Sequence, residues 1–401
     1  MAQSKKPAGS RGLLFILYGT MFLFGFLENI KGVSYPLIKN EFDVSYETQG
    51  QMISILSLCY TLFVVAAGFI LSRFGVKKVY FFGLLCALLS MGSIYFMPGF
   101  WLASLSLLLL FAGFGVFEIG VSAIATQIFT VRTALMMNLL HFMYGLGSMA
   151  GPKAAGLLVD AAGLGWRQIY LLTAPLVLAI FIPSLFIRFP EAGAGEKPQS
   201  AATPQSGETP QRFSAALTNP VVWLFGLTLG LMMGVEMASS NWGSLYFQDV
   251  YGMDPATRGA NFVFMFFLLF AVSRLVNGFL IEKIGYLKSL FGAVIIAGVI
   301  FAAGFALGER GIYVLPLLGF VIAIFWPTLM AVAMAYFGPG APVMISAVIA
   351  AGGLINAAMQ FFMGFISDQI GPAWGYRSSL VFITALFCLL FVLRRQIKQR
   401  P

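Results

Sequence analysis

Long apolar stretches recur from one end of the chain to the other, and they leave few folds open. Runs over 11–34, 48–71, 76–97, 100–127, 134–160 and 167–188 are followed by a second set over 219–247, 258–281, 286–307, 311–336, 342–366 and 376–394. A helix needs about 20 mostly apolar residues to cross a bilayer, and each run supplies them. In lipid every backbone N–H and C=O must find a partner within the structure, so such runs become helices. A membrane β-barrel would read as short alternating segments, which are missing here. Only 10% of the 401 residues are charged and 59% are hydrophobic, whereas a soluble domain carries about 25% charge. The expected fold class is an all-α integral membrane protein with twelve transmembrane helices.

The two sets of six runs are separated by EAGAGEKPQSAATPQSGETPQR. That stretch is too polar and too rich in Pro and Gly to bury a core, and it reads as a linker. The expected organisation is an N-terminal six-helix bundle over 1–189, a linker over 190–215 and a C-terminal six-helix bundle over 216–401. Lysine and arginine divide unevenly between the two ends of the runs, sixteen against seven. The sixteen include Lys5, Lys6, Arg73, Lys77, Lys78, Lys283, Lys288 and Arg394. Basic residues stay on the cytoplasmic side, so both termini and the linker are expected in the cytoplasm of a cell membrane, the inner membrane of a bacterium. The net charge of +9 does not imply nucleic acid, because no soluble domain exists to carry a basic face. Cys59, Cys86 and Cys388 lie in apolar runs without metal-ligand spacing and read as packing residues. The N-terminus leads into the first run without a small-residue cleavage site, so that run is expected to be retained.

The halves repeat each other. GFILSRFGVKK (Gly68 to Lys78) and GFLIEKIGYLK (Gly278 to Lys288) each have a glycine, a second glycine seven positions on, and a lysine close behind. Spans one and seven each carry a glutamate just after a glycine, Gly25 with Glu28 and Gly234 with Glu236. Repeated halves with a site between them are a transporter signature.

Polar residues inside the runs point to that site, because ionisable groups in lipid are costly and usually face a cavity or a partner. The stretch Glu118 to Pro152 is the densest: an apolar helix with Glu118, a turn with Arg132, then a helix with Asn138 and the chain's one histidine, His141. Glu118 has no basic residue within a helical turn, so it needs a proton or a partner on another helix. It reads as a proton carrier, a solute ligand or a protonated link between helices. Glu28 could carry a proton, or form an ion pair with Lys31, or cap a helix break. His141 could titrate near neutral pH or bond a backbone carbonyl. Asn138 shares its face, and together they offer donors and acceptors to a polyol. Glu236, Asn241 and Trp242 could bind hydroxyls and the face of a sugar ring; alternatively Glu236 packs between helices and Trp242 belongs to an interfacial belt. Asn356 and Gln360 share a face of span eleven, and Tyr144 adds a hydroxyl in span five. Arg274 could hold an anion, pair with a carboxylate or gate. No catalytic constellation and no Walker A loop occur, so neither an enzyme nor ATP-driven transport is expected. No cofactor or metal is expected.

With its six-plus-six division and repeated loop motif, the whole chain resembles the major facilitator superfamily. More narrowly it resembles the fucose permease branch of fucose–galactose–glucose:proton symporters. That likeness rests on Glu118, on Asn138-Leu-Leu-His141 before Gly145-Leu-Gly147, and on Gly234-Val-Glu236 followed by Trp242 and Tyr246. It extends to Arg274-Leu-Val-Asn-Gly278, Phe325-Trp-Pro327-Thr328, Gly352-Gly353 and Gly364-Phe-Ile-Ser-Asp368. Two positions depart from the pattern. Ser72 stands where the first loop motif commonly has an aspartate, and Gly32 stands where the branch has a span-one acid, Glu28 lying one turn earlier.

The resemblance implies proton-coupled import of a small polar solute, a sugar, by a monomer in the lipid bilayer. Proton coupling would fall to Glu118, Glu28 and His141. Solute binding would fall to Asn138, His141, Tyr144, Glu236, Asn241, Trp242, Asn356, Gln360 and Arg274. Gating would fall to Arg73, Gly75, Glu282 and Asp368. The alternative is an organic anion or drug transporter working by proton antiport through Arg274 and His141. A membrane receptor or scaffold on the same fold is a third reading.

Overall fold

The computed structural model describes residues 10–129, 133–187, 189, 213–338 and 341–398. Arg132 and most of the expected linker lie outside these residues. The described residues form helices throughout: α1 (Ser10–Asn29), α2 (Lys31–Phe42), α3 (Tyr46–Phe74), α4 (Val76–Phe96), α5 (Phe100–Ile128), α6 (Thr133–Ala162), α7 (Trp166–Phe186) and α8 (Phe213–Leu217). The second half continues with α9 (Pro220–Tyr251), α10 (Ala260–Ile284), α11 (Tyr286–Ala306), α12 (Leu317–Ile322), α13 (Phe325–Phe337), α14 (Ala341–Ile370), α15 (Pro372–Arg377) and α16 (Ser379–Lys398). Among the described residues, 11 segments are long and apolar enough to cross a membrane. The 30-residue α6 has the length but is not among them; it carries His141, Tyr144 and Lys153 on its way through. Large apolar side chains face outward around the molecule, among them Phe15, Phe69 and Phe186, as a lipid-facing surface requires.

Two spans differ from the sequence reading. Span one does not end at 34: it runs to Phe42 and is broken at Ile30 into α1 and α2. Asn29 Nδ2 donates to the Gly25 carbonyl at 3.1 Å, competing for the acceptor of its own helical turn. Pro36, inside α2, cannot donate to Gly32 either. Span ten is also broken, between Ile322 and Phe325. Pro327 leaves the Ala323 carbonyl without a helical donor and favours the break there. The repeated loop motif explains itself in backbone terms. Gly75 (φ 78°) joins α3 directly to α4, and Gly285 (φ 91°) joins α10 to α11. Only glycine takes such angles cheaply, so the second glycine of each copy is a helix-to-helix hinge.

Within the first half, α1 packs along α6 and α4 along α5; within the second, α9 packs along α14 and α10 along α12. The halves meet where α3 lies along α14, α6 along α10, and α2 against α9. Small residues make these crossings close. A Cβ built on Gly147 would stand 1.9 Å from the Phe22 carbonyl oxygen. Gly147→Ala therefore has to push α6 off α1. It is expected to destabilise the solubilised protein by about 1–3 kcal/mol, read as a lower thermal transition than that of Gly92→Ala, where a Cβ meets nothing within 4 Å.

Candidate solute cavity

A cavity of about 440 Å³ lies between the halves, within the roughly 300–1,000 Å³ typical of small-molecule sites. The broken span one contributes Glu28, Lys31 and Tyr35; α3 gives Tyr60 and Thr61; α5 gives Glu118; α6 gives His141 and Tyr144. From the second half come Glu236 and Asn241 of α9, Arg274 and Glu282 of α10, Trp326 and Thr328 of α13, and Asn356 of α14. Both halves thus supply polar groups to one chamber walled by Phe24, Phe111, Met233 and Met237.

The groups of the first half are tied together. Lys31 Nζ lies 3.4 Å from Glu28 Oε1, and the Tyr144 hydroxyl donates to Glu28 Oε2 at 2.6 Å. The Tyr60 hydroxyl donates to Glu118 Oε2. Glu28 therefore has a cation and a hydroxyl, whereas the bonded partner of Glu118 is neutral. The sequence does not single out Tyr60, because one tyrosine in an apolar run carries no signal of which face it occupies. Lys31 was legible only as a possible partner of Glu28, and here it sits in the cavity wall as that partner.

The second half is arranged in depth. Asn241 and Asn356 reach the cavity, but Trp242 and Gln360 do not line it. Gln360 is fully buried; its Oε1 accepts from Asn241 Nδ2 at 3.1 Å and from Trp242 Nε1 at 2.9 Å. Its Nε2 donates to Asn356 Oδ1 at 3.3 Å. Trp242 and Gln360, expected as solute contacts, instead form a layer that positions the two asparagines. One residue on from Asn241, Trp242 is turned about 100° round the helix and faces elsewhere. His141, Tyr144, Glu236 and Arg274 line the cavity as expected. The side chain of Asn138 lies outside the described residues.

The expected gating residues fall at opposite ends. Arg73 and Gly75 sit at the α3–α4 hinge, and Glu282 sits exposed at the cavity mouth, near Ile281 and Tyr286. The cavity thus extends towards the end that carries the loop motifs. Asp368 is at the other end, where it holds the halves together. Its Oδ1 accepts from the Tyr46 N–H at 2.8 Å and its Oδ2 from the Glu47 N–H at 2.7 Å. A carboxylate of α14 thus caps the N-terminus of α3, whose first N–H groups have no partner in their own helix. The Tyr46 hydroxyl donates to Asp249, Gln248 Nε2 to Asn40 Oδ1 at 3.3 Å, and Lys153 Nζ to Asn261 Oδ1 at 2.6 Å. Each of these bonds joins one half to the other.

Asp368→Ala would leave two helix-end donors to water and cost the closed end about 1 kcal/mol. The expected outcome is an approximately fivefold gain in the open population at this end. Labelling of a Gln248→Cys probe by an impermeant maleimide, with Cys59, Cys86 and Cys388 replaced, measures it.

The profile of the Major Facilitator Superfamily matches residues 17–344. The chain belongs to the major facilitator superfamily. It is therefore a transporter of small molecules rather than an enzyme, and a multi-pass membrane protein of two six-helix bundles. No match is found among curated protein sequences. Solved structures share the fold at low identity. The major facilitator transporter FucP, also solved as the E. coli fucose:proton symporter, aligns at 18% identity over 96% of this chain and 98% of its own, with a TM-score of 0.65. A bacterial homologue of the human lysosomal transporter Spinster aligns at 15% identity over 99% of both chains, with a TM-score of 0.74. The nucleoside transporter NupG aligns at 12% identity over 96% of this chain and 99% of its own, with a TM-score of 0.75.

Proposed function

We propose that this protein is a proton-coupled secondary active transporter that imports a small polar solute, a sugar, by alternating access. Residues 1–189 and 216–401 would be the two moving bodies, joined by the 190–215 linker. The positive-inside distribution supports cytoplasmic termini in a cell membrane, which makes the observed opening a cytoplasmic one. The chain would work as a monomer, since each copy holds its own cavity.

The observation that carries this reading is the environment of Glu118. It is a cavity carboxylate whose bonded partner is a neutral hydroxyl. A proton can cancel its charge without breaking an ion pair, so loading a proton makes closure of the cavity less costly. Glu28 is compensated by Lys31 and braced by Tyr144, which suits a fixed structural charge better than a carrier. Asn241, Asn356, His141 and Thr328 offer donors and acceptors for hydroxyls, and Trp326 and Phe111 offer flat apolar faces.

A thermal-shift screen of sugars and polyols on purified protein tests the solute half of the proposal. A ligand at a hundred times its Kd adds about 2.7 kcal/mol of apparent stability, so a binder shifts the transition plainly. Absence of any shift across neutral sugars, polyols and sugar acids would count against a sugar site. The antiport alternative, an organic anion or drug held by Arg274 and His141, uses the same cavity. It is separated by the direction of proton movement in vesicles.

A further inference from the structure

Arg274 is the one cation of the cavity that makes no direct ion pair among the described residues; Glu118 and Glu236 share the chamber with it but do not contact it. Among the described residues no carboxylate lies within 4.0 Å of its guanidinium, its Nε is buried without a hydrogen bond, and it contacts the Phe270 ring at 4.6 Å. The other cavity cation, Lys31, has Glu28. The guanidinium lies over the Phe270 ring, and its N–H groups make no hydrogen bond to a described residue. Its N–H edge is the part that takes a carboxylate in a two-pronged hydrogen bond. The chamber into which it faces also holds Asn241, Asn356, Thr328 and His141, groups suited to hydroxyls.

We infer that the solute is an acidic sugar, a polyhydroxylated monocarboxylate whose carboxylate docks on Arg274 while its hydroxyls meet the amide and hydroxyl side chains. This rests on the reading of the cavity as the solute site, and it narrows that solute from sugars in general to sugar acids. Charge balance sharpens it. With Lys31 and Glu28 paired and His141 counted neutral, the deep cavity keeps one cation, Arg274, and two carboxylates, Glu118 and Glu236. An uncompensated charge in a closed, dry cavity is costly. A neutral sugar balances it with one proton on a carboxylate. A sugar monoanion on Arg274 balances it with Glu236 protonated throughout the cycle and the travelling proton on Glu118. The competing arrangement, in which Glu236 swings onto Arg274 when the cavity closes over a neutral sugar, makes the opposite prediction for binding.

The test compares glucose with glucuronate, galactose with galacturonate, and adds gluconate, as ligands of the purified full-length protein in binding titrations. The expected result is that one or more of the acids binds at least about tenfold more tightly than its neutral counterpart. Arg274→Gln should erase that advantage, so that each acid binds no more tightly than its neutral counterpart, and Arg274→Lys should restore part of it. An unliganded thermal transition of Arg274→Gln within the range of the wild type certifies its fold; if it is lower, Arg274→Lys alone carries the comparison, its advantage falling between none and that of the wild type. Binding of neutral sugars with no preference for the acids would overturn the inference and leave the sugar site standing. An acid preference that survives unchanged in both variants would overturn it too, and failure of every compound would overturn both.

Discussion

Glu118→Gln is expected to abolish proton-driven accumulation of solute while leaving exchange of solute across the membrane intact. Glutamine keeps the shape of the side chain and still accepts from the Tyr60 hydroxyl, so the cavity wall survives. What it removes is the ability to alternate between a charged and a neutral state. A carrier locked neutral can close and reopen around solute, but it can no longer use the proton gradient. The accumulation ratio should fall from many-fold to about one, with counterflow rates within a few-fold of wild type. The matched change at the other acid should look different. Glu28→Gln leaves Lys31 buried without its counter-ion, a loss of about 3–5 kcal/mol by analogy with broken buried ion pairs. It should therefore cost folding stability as well as transport. Equal and purely functional phenotypes for the two variants would contradict the division of roles drawn from their partners.

The second large effect concerns closure. A Cβ on Gly364 would stand 2.4 Å from the Tyr46 carbonyl oxygen and 2.9 Å from Gly50 Cα. Both atoms belong to α3 of the opposite half, so the obstruction lies wholly between bundles. Gly364→Val is expected to prevent closure at this end and to reduce transport by at least about a hundredfold, the factor for roughly 2.7 kcal/mol. Each bundle keeps its own packing, so the thermal transition should move little, whereas labelling of the Gln248→Cys probe should approach its maximum. Gly147→Ala, whose clash is inside one bundle, should show the reverse pattern: lower stability and no gain in labelling. A Gly364→Val protein that stays closed at this end and transports normally would contradict the assignment of the Gly50–Gly364 crossing as a seal.

Much of this architecture is legible in the sequence because lipid makes hydropathy a strong signal. The run lengths indicate the helices, and the paired Gly68–Lys78 and Gly278–Lys288 motifs indicate the repeat, whose second glycines, Gly75 and Gly285, prove to be hinges with positive φ. The cavity residues Glu118, His141, Glu236 and Asn356 were legible because a polar side chain in an apolar run has to face something. What could not be read was which helix face each residue occupies relative to the other half. Trp242 beside Asn241 looks like a binding pair in sequence, yet one turns into the cavity and the other behind it. Tyr60 and the freedom of Arg274 are facts of tertiary placement, set by helices that meet only after folding. Asp368 could be read as a gating residue from its motif, but not that it would cap a helix of the other bundle.

The most direct measurement uses purified protein in sealed vesicles with a pH-sensitive dye in the lumen and no imposed gradient. Adding the solute outside should carry protons in with it and acidify the lumen, in proportion to solute uptake. Glu118→Gln vesicles should exchange solute with no pH change. Solute uptake by the wild-type protein without luminal acidification, or with alkalinisation, would contradict proton symport through this cavity.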